Sequence, residues 1–120
     1  MSSVLKDLGQ LHIVAGKVDG TDTAALTSND GSATLTDNGT GDYTITFGDA
    51  FMSVPAVTAT VIDAAISTDA AQGVVITAVA TGSVQFQTWE AVLTGGASTD
   101  IANAAGDLDF HFIAVGMRNN

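Results

Sequence analysis

The stretch DLDFHFIAVGMR, residues 107 to 118, decides how the chain is read. In an extended strand successive side chains point to opposite faces. Phe110, Phe112 and Ala114 therefore project one way, and His111, Ile113 and Val115 the other. A strand with one wet face alternates apolar and polar residues, and this one is apolar on both. One face belongs in a core. The other needs a cover, and a 120-residue chain has little material to supply one.

The rest of the composition fits a strand-rich fold. There are 16 Thr, 8 Ser, 13 Gly and 12 Asp, against 1 Glu, 2 Lys and 1 Arg. Helix surfaces are written in Glu, Lys, Arg and Gln, whereas strands joined by Asp- and Gly-rich turns use the first set. The 46 % hydrophobic content is less than it looks, because 19 of those residues are Ala. Large core formers are few, so an isolated chain has a modest core and gains from burying surface in an oligomer. The length is that of one domain.

Charge excludes several functions. The formal net charge is −10. A nucleic-acid surface needs clustered Lys and Arg, and an anionic membrane needs the same, so neither is an expected partner. An acidic surface keeps a protein soluble and disperses it in salt. No cysteine is present, which removes disulfides and thiolate metal sites. The opening MSSVLKDLGQ lacks the apolar centre of a secretion signal, and no apolar run approaches the roughly 18 residues of a membrane span. The expectation is that the chain reaches any extracellular setting without such a signal, for which assembly into a virus particle is one route.

Working outward from the closing strand, the chain reads as a series of short strands. Residues 1–9 are a helical turn or a flexible arm. QLHIVAGKV (10–18) is the first strand, and DGTDT turns the chain. SATLT (32–36) and DYTITFG (42–48) form a hairpin through DNGTG, whose residues tolerate positive φ; Tyr43, Ile45 and Phe47 share a face. Pro55, the only proline, leads into AVTATVI (56–62), with Val57, Ala59 and Val61 on one side. DAAISTDAAQ (63–72) is ambiguous between a loop and a short helix, and the loop is the expectation. GVVITAVA and SVQFQTWE make a second hairpin around Thr81 and Gly82, and residues 91–107 are a long loop with room for a short strand. The sum is an all-β, antiparallel β-sandwich of seven to eight strands, a single domain over residues 10–120.

Candidate chemistry is sparse. Asp109 and His111 share a strand face, but no nucleophile elbow or oxyanion partner accompanies them, so no catalytic residue is assigned and the chain reads as a non-enzyme. His12 in the first strand could come near His111, yet two histidines and an aspartate at this spacing carry no metal signature. The stretches DGTDT, NDG and DNGTGD offer oxygens to calcium, but none matches a calcium-loop pattern and turn chemistry already accounts for Asp and Asn before Gly. No metal or cofactor is expected. Trp89 beside Glu90 is either a sugar-stacking platform or, as is usual for a lone Trp in a small sandwich, part of the core. The apolar outer face at Ile113 and Val115, with His111 at its edge, meets either copies of itself or the loop 91–107 folded over it.

The segments GDYTITFGDAFMSVPAVTATV, VVITAVATGSVQFQTW and DFHFIAVG resemble a small β-sandwich family of phage tail-fibre and virion proteins, and are also similar to the H-type lectin domain. The residues that carry the likeness are Phe51, Pro55, Val57, Gly82, Phe86, Trp89, Phe112, Ile113, Ala114 and Gly116, with LHIVAGKVDG resembling the opening strand of the phage-type members. These are core and turn positions over about two thirds of the chain, more specific for fold than for function. The resemblance implies a homotrimer with the closing strands near the three-fold axis, which would cover Ile113 and Val115. It implies a bacteriophage virion structural protein, a capsid-decoration or tail-fibre component acting in assembly or host attachment and located in the virion beside other virion proteins. The alternative it implies is a lectin-like module binding a host-surface glycan, with Trp89 as the possible contact and no sugar-binding loop residues carried over.

Overall fold

A computed structural model describes residues 10–21, 23–62, 71–93 and 101–118. They form nine strands in chain order: β1 (Gln10–Asp19), β2 (Ala25–Ser28), β3 (Thr34–Gly39), β4 (Asp42–Thr46), β5 (Ala56–Ile62), β6 (Gln72–Val79), β7 (Ser83–Leu93), β8 (Ile101–Ala105) and β9 (Asp109–Arg118). There is no helix among the described residues, and every pairing is antiparallel. The first sheet runs β2-β1-β9-β5. The second runs β3-β4-β7-β6, with β8 on the same edge of β7 as β4, further along the strand. The molecule is the expected all-β, two-sheet antiparallel fold.

The alternation read in the sequence places the core. Val14, Val18, Phe110, Phe112 and Ala114 from the first sheet face Tyr43, Ile45, Val84 and Phe86 from the second and Phe47 just past β4, all buried. Phe86 sits at the centre, its ring centroid 5.0 Å from Phe110 and 5.7 Å from Phe112 in tilted geometries that aromatic quadrupoles favour. Phe51 plugs one end, edge-on to Phe47 at 5.1 Å and tilted against His12 at 4.7 Å.

Two elements differ from the sequence reading. The chain after DGTDT does not run straight to the first hairpin: it forms β2, which pairs with the end of β1 from Gly16 to Asp19. This strand holds one large apolar residue, Leu26, so it shows no period. Side-chain bonds continue its pairing: Asn29 accepts from the Ala15 N–H at 2.8 Å and donates to the Ile13 carbonyl at 2.9 Å. The segment 91–107 holds the short strand for which the sequence left room, but its start is not loop. Its first residues extend β7, and β8 pairs along them, Leu93 opposite Ile101 and Trp89 opposite Ala105. Residues 1–9 and 63–70, read as an arm and as most of a loop, lie outside the described residues.

The β3–β4 connection is tighter than a generic Gly-rich turn. Gly41 has φ +64, and a Cβ there would meet the Thr88 carbonyl oxygen at 2.6 Å and that of Gly106 at 2.9 Å. Only glycine fits, and through it the Gly41 carbonyl accepts the Thr88 N–H at 2.9 Å. This contact joins β4 to β7 where β4 stops and β8 has not yet begun.

Candidate functional site

The outer face of the first sheet follows from its register. On β1, the positions out of step with the buried Val14 and Val18 point out: Leu11, Ile13, Ala15 and Lys17. On β9 they are His111, Ile113, Val115 and Met117, and on β5 Ala56, Thr58 and Thr60. Antiparallel pairing arranges them in rows: Leu11 with Met117, then Ile13, Val115 and Ala56, then Ala15, Ile113 and Thr58, then Lys17, His111 and Thr60. The first three rows contain no charge.

Exposure within this chain is large for such residues. Leu11 is 65 % exposed, Ile13 45 %, Ile113 43 % and Val115 37 %. Val54 and Met52, on the connector before β5, add 59 % and 45 %. A soluble monomer shows isolated apolar side chains at its surface, but seldom a two-strand apolar ladder. Among the described residues nothing lies over it. The described part of segment 91–107 belongs to the second sheet, so it does not supply the cover.

The three residues expected at a contact are thus together: His111, Ile113 and Val115 line one strand of this face. Ile13 and Leu11 complete it. The signal for them was the same as for β9, an opening strand whose two faces are both apolar. At one end of the face Asp19 and Asp109 follow the Lys17–His111 row. The Thr21 hydroxyl and N–H, at 2.8 and 3.1 Å, hold the Asp19 carboxyl below its usual range, with Asp109 also contributing.

Trp89 lies elsewhere. It alternates with the buried Phe86 and Thr88 and so points out of the second sheet, half-buried, rather than into the core as a lone Trp usually does. Its burial comes from a neighbour with no side chain. Trp89 pairs with Gly73 of β6, and a Cβ at Gly73 would run into the Cζ2, Cε2 and Nε1 atoms of the indole. The ring therefore lies across the Gly73 backbone. Beside it, in the gap between the start of β4 and the end of β8, is a cleft of about 450 Å³. Thr40, Asp42, Val75, Gln87 and Trp89 give it side chains, and Gly41, Thr88 and Ala105 line its edges.

Beneath that gap the polar groups are satisfied. Asp107 accepts from the Gly41 N–H and the Tyr43 hydroxyl, both at 2.8 Å, and the Thr88 hydroxyl donates to the Gly106 carbonyl. Burial first, and the bond to Asp107 second, push the Tyr43 phenol well above its ordinary range.

The remaining sequence candidates do not assemble. Asp109 and His111 share the outer face as expected, but Asp109 is engaged with the Gly20 N–H at 2.9 Å. His12 is opposite Gly116 and shares the inner side with Val14, whereas His111 is opposite Lys17 on the outer side. They are on different faces, and the two-histidine arrangement is not formed. The Asp-rich turns use their own oxygens: Asp30 accepts from Ser32 and Gly48 N–H groups at 2.9 and 3.0 Å, and Asp37 from Gly39 at 3.0 Å. No group of three potential metal ligands occurs among the described residues.

Compared with known proteins, the chain matches no family model, no curated protein and no solved structure.

Proposed function

We propose that the chain is a structural subunit that assembles with copies of itself through the outer face of its first sheet, as a homotrimer in a bacteriophage virion. The carrying observation is the uncharged ladder of Leu11, Ile13, Ile113 and Val115, exposed in the single chain. Copies of a molecule with net charge −10 repel one another over most of their surface. This face is where they meet without opposing carboxylates, and burying it removes apolar area from water. Lys17 and His111 border it with the only positive or neutral-basic side chains on these rows.

The three-fold order and the particle setting rest on the resemblance of the β4–β5, β6–β7 and β9 segments to phage virion sandwiches. Within a particle the subunit acts by shape and contact, as capsid decoration or as part of a tail or fibre, so it needs no reactive centre. Mass spectrometry of particles banded on a density gradient tests this. The chain should be present at copy numbers divisible by three; its absence from banded particles contradicts the virion role.

A further inference from the structure

We infer that the cleft beside Trp89 binds an organic cation, the flat guanidinium group of an arginine side chain or of a small molecule, at a site separate from the assembly face. Strand register brings its parts together. Asp42 of β4 stands opposite Gln87 of β7, and Gln87 stands opposite Val75 of β6. Trp89 follows Gln87 by two on the same outward side, between Gly73 and Ala105. Asp42 is thus a diagonal neighbour of the indole, a separation of roughly 7–8 Å that a group lying on the ring can span. β4 begins at Asp42 and β8 ends at Ala105, and the gap between them along β7 is the cleft.

Two features of the cleft attract positive charge. Trp89 rests on the Gly73 backbone and lines the cleft with its ring, whose π face draws cations electrostatically. Asp42 stands beside it and is fixed: its Oδ1 accepts from the Gln85 amide at 2.9 Å and the Asn38 amide at 3.3 Å, and Asn38 is itself anchored on the Thr44 hydroxyl at 2.8 Å. The Asp42 Oδ2 accepts no bond from a described residue, and the exposed Gln87 adds an amide oxygen. Further acids stand at the rim. Asp107 accepts from the Gly41 N–H at 2.8 Å, and the Glu90 side chain packs against Gly106, the backbone neighbour of Gly41.

No cation of the chain answers them. Among the described residues the cations are Lys17 and Arg118, both in the first sheet, and Arg118 pairs with Asp49 at 3.1 Å. The cleft therefore holds an uncompensated carboxylate in a molecule at −10, and an anionic ligand would be repelled. A neutral polyol would use the ring and leave the Asp42 charge unanswered. A bare divalent ion needs several oxygens at once, and no group of three potential ligands occurs among the described residues. A guanidinium uses both features: its plane stacks on the indole, and its N–H edge donates toward the Asp42 Oδ2 and the Gln87 amide oxygen. It is also less strongly hydrated than an ammonium, so entering the cleft costs it less. A partner protein would present such a group as a side chain, because β4 and β8 already occupy this edge of β7 and leave no place for an added strand.

Trp89 is the only tryptophan, so its fluorescence reports this cleft alone. The full chain should be titrated at fixed ionic strength with ethylguanidinium, acetyl-arginine amide, n-butylammonium and lactose. Both guanidinium probes should give a saturable change with a dissociation constant of about 1 mM, and butylammonium and lactose should bind at least about threefold more weakly. Tighter binding of acetyl-arginine amide assigns the site to a protein side chain, and tighter binding of ethylguanidinium to a free molecule. Asp42→Asn keeps Oδ1 and the side-chain shape; it should weaken the guanidinium probes about tenfold with an unchanged far-ultraviolet circular dichroism spectrum. Asp49→Asn changes the net charge equally, past the far end of β4, and should leave their affinity within about twofold. Binding should survive Ile113→Asp, which keeps this site separate from the assembly reading. No saturable response to either guanidinium probe, lactose or butylammonium binding as tightly as they do, unchanged affinity in Asp42→Asn, or an equal loss in Asp49→Asn would overturn the assignment.

Discussion

Ile13 of β1 and Val115 of β9 stand directly opposite each other and both project out of the sandwich, 45 % and 37 % exposed. Their neighbours one residue on, Val14 and Ala114, are also paired and are fully buried. The same two strands thus carry a core on one side and core-like residues on the other. A two-layer fold can cover only one of these sides itself.

A charge placed on that face should break assembly and spare the fold. In the single chain Ile113 is 43 % exposed, so Ile113→Asp leaves the monomer's own core intact. At a contact it introduces an unpaired buried carboxylate, worth roughly 3 kcal/mol or more against association. Size-exclusion chromatography with light scattering should show loss of the oligomer, while far-ultraviolet circular dichroism stays that of the wild type. An assembled Ile113→Asp protein would place the contact elsewhere.

The opposite result is expected for the inner face. Phe86 touches both Phe110 and Phe112 across the core. Phe86→Ala should cost about 3–5 kcal/mol, a large share of a small domain's stability. Urea unfolding followed by circular dichroism measures this. A loss under about 1 kcal/mol would mean that the two sheets do not meet at this ring.

Tyr43 makes stability depend on alkaline pH. Its phenol, raised first by burial and then by Asp107, stays neutral in the folded chain well past the ordinary value of 10.0. The stabilisation is complete below that value. Above it the unfolded chain ionises and the folded one does not, so stability falls by up to about 1.4 kcal/mol per pH unit. Tyr43→Phe should flatten that decline and cost about 1 kcal/mol near neutrality. Tyr43 is the only tyrosine, so phenolate absorbance near 295 nm follows it cleanly. Reversible ionisation near pH 10 in the folded protein would contradict its burial.

Much of the fold was legible because alternation is a local property. Tyr43, Ile45 and Phe47, and Phe110, Phe112 and Ala114, announce their faces at spacing two, and the structure buries all six. β2 was not legible, since one leucine in four residues has no period and its pairing depends on β1 and on the Asn29 side chain. The outer apolar face was readable on β9, and β1 carries the same two-sided apolar signal. Its extension to Ile13 and Leu11 depends on the register between strands about a hundred residues apart, which no local pattern encodes.

Trp89 shows a different limit. Its parity with Phe86 places it outside once β7 is known to be straight, but the usual fate of a lone tryptophan argued for the core. What holds it at the surface is Gly73, a residue with no side chain to notice, brought beneath it by a β6–β7 register with a bulge between Ile76 and Ala78. The cleft beside it arises from the vacancy between β4 and β8, a feature of topology rather than of any motif.

Sedimentation equilibrium at micromolar concentration tests the assembly face most directly. A chain of 12.1 kDa that associates through Leu11, Ile13, Ile113 and Val115 as a trimer should give a mass near 36 kDa, falling to that of one chain in Ile113→Asp. A wild-type mass of one chain, with those four side chains facing only water, would contradict it.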